Sequence, residues 1–233
     1  GQMDRLQAWR DVEPDVPMYL WLYNTFPLEN ANNGRYFCYP GFFAREIKRQ
    51  FDEFRRLGVQ GIFHCGFHDE VENYVTYKLM DDPTLDIGKL LGDYFAPYGA
   101  AGKTMRAWYD LAESRFMDPS IYPPGPDGRP GSHIGAVAAA WEYQGNAETM
   151  ARLGALMEEA GAKAKGRAAE LVKLWDLGVW SYMRVGRETY VRRMQAPIPS
   201  VTAARVPSAG GDPGKVAWDR AGDVGDKWYL RGG

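Results

Sequence analysis

Cysteine is scarce in this chain, with Cys38 and Cys65 the only two among 233 residues. Two thiols build neither a disulfide framework nor, alone, a four-ligand zinc site, and whether they pair stays open. Histidine is almost as rare, with three. Neither sign of charge prevails: 28 Lys and Arg stand against 30 Asp and Glu, a formal net charge of −2. That balance lacks the basic excess of a polyanion-binding surface, so no nucleic-acid partner is expected. No apolar run reaches the roughly 18 residues of a membrane helix, so no membrane span is expected. The opening Gly1-Gln2-Met3-Asp4-Arg5 has no signal-peptide core. Glycine-rich phosphate loops, nucleophile elbows and Walker-type runs are missing as well. Gly99-Ala100-Ala101-Gly102 precedes a helix but follows no strand. No cofactor is expected.

What is present is ordinary globular text with many aromatics: 45% hydrophobic, 25% charged and 14% aromatic residues. Disorder is excluded for most of the chain, and the length suits one or two domains. Met3, Leu6 and Trp9 share a helical face, cut short by Pro14 and Pro17. Met18-Tyr19-Leu20-Trp21-Leu22-Tyr23 is a dense apolar run of strand length, which suits a sheet buried on both faces. A long connection follows, from Thr25 to Phe42. Phe43, Ile47, Phe51, Phe54 and Leu57 then mark an amphipathic helix that Gly58 stops. Val59 to His64 reads as a second strand. Strand, helix, strand implies a right-handed unit with parallel strands.

Beyond Asp69 the text turns helical. Asp69 with Glu72 has capping-box spacing, with Val71, Val75 and Leu79 as the buried stripe. Asp86 can cap a short helix, and Met105 to Phe116 form another. Pro119 to Gly131 is turn-rich. From Gly131 to Ala196 the chain is proline-free, with breaks expected near Gly145 and Gly161 and short connections that favour an antiparallel bundle. Aromatics around Trp141 and from Trp175 to Trp180 lie at helical spacing and read as core.

Two parallel strands do not make a stable sheet alone. The expected fold class is therefore α/β: the C-terminal part of a (β/α)8 barrel contributing two parallel strands, followed by a helix-rich extension, with helix dominant. The expected parts are residues 1–118 for the barrel piece, 119–194 for the helical extension, and 195–233 for a linker and a truncated β-sandwich module. A small self-contained α+β domain is the other reading of the same text.

The run Met18 to Thr25 resembles the penultimate barrel strand of a bacterial family known only as a domain of unknown function. That family is similar in its barrel to α-glucuronidases and β-hexosaminidases. The similarity continues through Gly58 to Phe63, Tyr74 to Leu79, Asp82-Pro83, Asp93 to Phe95 and Tyr98 to Ala101. In the tail, Val201 to Val206 and Val216 to Ala221 resemble the opening of a carbohydrate-binding β-sandwich. The resemblance implies a carbohydrate-active, glycoside-hydrolase-like barrel fragment in an extracellular or envelope setting. Its partners would be an oligo- or polysaccharide and the remainder of its own barrel, and its catalytic acids would lie on earlier strands. The alternative is a non-catalytic sugar-binding or envelope scaffold on a decayed barrel. Leu22 stands where relatives carry an acid, and His64-Cys65 where they carry Glu-Gln.

Candidate substrate contacts come from the strand ends and the long loop: Trp21, Tyr23, Asn24, Tyr36, Tyr39 and His64. Aromatic plates meet the apolar C–H faces of sugars, and amides both donate to and accept from hydroxyls. The same Asn and Gly residues also read as turn formers, and the same aromatics as rim cover. Glu29, Asp69, Glu70 and Glu72 are the acids nearest the expected rim, and none stands in text that would raise its pKa. His64, Cys65 and His68 match no strong metal motif, and no metal is expected.

Overall fold

The structure is a computed structural model that describes residues 2–23, 38–65 and 70–196. The expectations for Asn24, for the loop through Tyr36, for Gly66 to Asp69 and for the tail beyond Ala196 lie outside the described residues.

Helix α1 (Gln2–Val12) is fastened by Arg10. Its guanidinium donates to the carbonyls of Leu57, Pro14 and Val16, each at 2.9 Å. One side chain thereby joins the first helix, the end of the third element and the approach to the first strand. Strand β1 (Met18–Tyr23) and strand β2 (Val59–Cys65) run parallel, with Tyr19 opposite Gly61, Trp21 opposite Phe63 and Tyr23 opposite Cys65. Between them lies α2 (Ala44–Arg56), which buries Ile47, Phe51 and Phe54. Gly58 follows it at φ 68°, a left-handed conformation that glycine adopts without steric cost.

Helices make up nearly all the rest. Helix α3 (Glu70–Asp81) buries Val71, Val75 and Leu79. Helix α4 (Ile87–Phe95) starts at Asp86, whose carboxylate accepts from Lys89 N at 2.7 Å. A 3-10 turn (Ala96–Ala101) leads into α5 (Gly102–Met117). After the proline-rich stretch, Ala136–Ala138 runs into a π-helical turn, Ala139–Gln144. Asn146 caps α6 (Ala147–Lys163), and α7 (Arg167–Trp175) passes through a second π turn, Asp176–Trp180, into α8 (Ser181–Gln195). Arg115 donates to the carbonyls of Tyr143 and Gln144, and Arg187 to that of Trp141, so two cations hold the carbonyls of the first π turn. One apolar core runs from Tyr39 to Tyr190. At its centre the Trp108 ring meets Phe42 at 5.7 Å, Trp175 at 5.3 Å and Trp180 at 6.1 Å.

These facts correct the barrel expectation. Among the described residues the sheet has two strands and does not close, so the fold is mostly helical rather than a (β/α)8 barrel with an extension. The physical reason is that strand-like text occurs in only two described segments, while the helices bury their apolar stripes against one another. The expectation of a strand covered on both faces fails too. Met18, Leu20 and Leu22 turn towards the helices, whereas Tyr19, Trp21 and Tyr23 face outwards. The break expected near Gly161 falls just after it: α6 continues to Lys163, and the chain turns at Gly166, φ 55°.

Candidate functional site

Strand geometry sends alternate side chains to opposite faces. The all-apolar text of β1 therefore divides into an inner aliphatic row and an outer aromatic one. Tyr19, Trp21 and Tyr23 stand on the outer face, joined from β2 by Phe63, with exposures of 72%, 63%, 48% and 58%. Trp21 and Tyr23 lie nearly parallel, centroids 5.8 Å apart at 16°. Phe63 meets Trp21 edge-on at 5.0 Å and 77°. Gly61 and Cys65 complete this side of β2, so no described side chain on the face carries a formal charge. No disulfide joins the described Cys38 and Cys65.

The structure brings Trp21 and Tyr23 together and sets the other described candidates elsewhere. His64 pairs in register with Leu22 and points to the helix side, its ring edge-on to Tyr77 at 5.6 Å. Burial pushes its imidazole below the usual histidine range, and neither ring nitrogen has a hydrogen-bond partner among the described residues. Tyr39 is buried in the helical core, between Phe42 and Trp141, and burial raises its phenol. Tyr19 and Phe63, strand residues expected to be under-covered, share this face but were not among the candidate contacts. Spacing at positions 19, 21 and 23 was the available signal.

A second cluster surrounds the start of α2. Phe43, its N-cap, offers no side-chain acceptor, so neighbouring helices supply them. Glu72 Oε1 accepts from Phe43 N at 3.0 Å and from the Tyr109 hydroxyl. That hydroxyl accepts from Ala44 N at 3.1 Å, and Glu113 Oε1 accepts from Arg45 N at 2.8 Å. Arg45 also pairs with Glu113 and with Asp110. Burial outweighs these hydrogen bonds and raises the Glu72 carboxyl to about 7. This corrects the reading that no acid here has a raised pKa: the apolar surroundings come from helices distant in sequence. Its position is that of a helix cap, because Phe43 N and the Tyr109 hydroxyl both donate to its Oε1 from within the protein.

Among the described residues no group of three His, Cys, Asp or Glu is placed to hold a metal ion. No helix of the described residues is long and apolar enough to cross a membrane. Open grooves occur among the helices, one of about 580 Å³ between α6, α7 and the second π turn. Its floor residues Met157, Val172 and Trp180 are already buried. The glycoside-hydrolase-like reading, as fragment or as decayed scaffold, loses its basis with the barrel on which both forms rested. Compared with known protein families, with curated proteins and with solved structures, the chain has no match.

Proposed function

We propose that the chain binds carbohydrate through the outer face of its sheet, with Tyr19, Trp21, Tyr23 and Phe63 as the contact surface. Trp21 and Tyr23 carry over from the candidate contacts, and carbohydrate is proposed on the aromatic chemistry alone; the barrel, the hydrolysis and the resemblance that implied them are set aside. The observation behind this reading is four largely exposed aromatic side chains on one uncharged face. Pyranose rings present flat patches of C–H bonds that pack on aromatic rings, and the two tyrosine hydroxyls add hydrogen-bonding groups at the margin. The four rings by themselves offer less area than a whole protein interface. At ~200 Å² per aromatic side chain, the exposed fractions amount to roughly 500 Å². A stable protein interface takes about 800 Å² from each partner.

Calorimetric titration of the full chain with cellohexaose, xylohexaose and mannohexaose tests this. At least one should bind saturably, and Trp21→Ala should weaken that binding about tenfold, the loss of one well-packed ring contact. Absence of binding to all three, or an unchanged affinity in Trp21→Ala, overturns the reading. So does self-association in sedimentation that Trp21→Ala abolishes, since the face would then be a protein interface.

A further inference from the structure

Resting on the carbohydrate reading, we infer that Tyr19 is the plate on which a neutral pyranose lies and that Gly61 is the residue that positions it. Gly61 stands directly opposite Tyr19 in the parallel pair. A Cβ on Gly61 would sit 3.0 Å from Tyr19 Cδ1 and 3.2 Å from Cε1, tighter than ordinary contact. The tyrosine ring thus occupies the space a side chain at 61 would fill, and lies across β2.

A left-handed backbone is not the reason for glycine here. Gly61 is not among the glycines at positive φ, although the register slips by one residue just before it, at Gln60. A glycine inside a strand weakens it and marks a bulge or a close approach, and Gly61 has both. The neighbouring rings differ in kind. Trp21 shares contact surface with Tyr23 and with Phe63, whereas Tyr19 has no ring partner among the described residues and is the most exposed of the four. The face therefore offers one ring lying across β2 on the same side as a cluster of three: a sugar stacks on Tyr19. With no charged side chain among the described residues of this face, its ligand is a neutral sugar rather than a uronate or sulfate ester.

The test is a double-mutant cycle on the full chain, titrated with the same three hexasaccharides. Tyr19→Ala and Gly61→Ala should each weaken binding about tenfold, while Tyr19→Phe stays within about twofold. In the Tyr19→Ala background, Gly61→Ala should have no further effect, because its action passes through the ring. Thermal midpoints identify a merely structural glycine, whose replacement shifts stability and leaves affinity alone. Loss of binding in Trp21→Ala with unchanged affinity in Tyr19→Ala or Gly61→Ala overturns this inference and leaves the carbohydrate reading standing. Should Gly61→Ala not fold, equal affinity in Tyr19→Ala and wild type still overturns it. Wild-type protein that binds none of the three sugars overturns both.

Discussion

Glu72 is an ordinary carboxylate in the sequence and an unusual one in the fold. Its raised pKa of about 7 makes stability depend on pH in a defined sense. The folded state holds the proton more tightly than the unfolded chain, whose carboxyl titrates near 4.5. The contribution is complete below that value and is lost as pH rises through about 7. Glu72→Gln keeps an oxygen for Phe43 N and Tyr109 and removes the charge. Urea midpoints measured from pH 5 to 8 should fall with pH in the wild type, by on the order of 3 kcal/mol over the full titration. The glutamine variant should lack that component. An equal slope in both proteins would place the pH dependence elsewhere.

At the scale of elements, two glycines have opposite roles. Gly161 lies inside α6, and a Cβ there meets nothing within 4 Å. Gly161→Ala should stabilise the chain by about 0.5–1 kcal/mol, through helix propensity alone. Gly166 precedes α7 at φ 55° and ψ −131°, where an L side chain is strained. Gly166→Ala should cost about 1–3 kcal/mol. Paired denaturation curves check the signs. The same two residues show what sequence could reveal: both are bare glycines in text, and only the surrounding backbone tells a helix interior from a turn. Helix α2 was legible because Ile47, Phe51 and Phe54 keep the helical period, and α4 because Asp86 is a local cap. Strand β1 was legible as a strand, but its unbroken apolar text suited burial on both faces. Large apolar residues on both faces conceal the alternation of period two.

For the whole molecule, Trp108 is the residue that ties the parts together, because its ring touches Phe42 from the segment before α2, Trp175 from the end of α7 and Trp180 from the last position of the second π turn. Trp108→Ala should cost about 3–5 kcal/mol. Far-UV circular dichroism and fluorescence should report the loss at one common midpoint; separate midpoints would mean that the helices before and after the proline-rich stretch unfold independently. This scale was the least legible in the sequence. The order strand, helix, strand suggested a larger parallel barrel, yet which helices cover one another depends on contacts such as that of Phe42 with Trp108, across more than sixty intervening positions. Cap exchange at α2 was hidden for the same reason, since Glu72, Tyr109 and Glu113 act on a helix that begins far upstream of them.

The two π turns also bear on how this chain can change in length. A π turn closes its hydrogen bonds one residue further along than an α turn, and so holds one residue more in the same rotation. Removing one residue from Asp176–Trp180, where Gly178 already leaves helical geometry at ψ −108°, would let the turn close as ordinary α-helix. Met183 and Tyr190 would keep their azimuth towards the core. Elsewhere in α7 or α8 the same deletion would rotate every later side chain by about 100°. These turns are thus the places where evolution can insert or delete a single codon without reorienting the helix downstream.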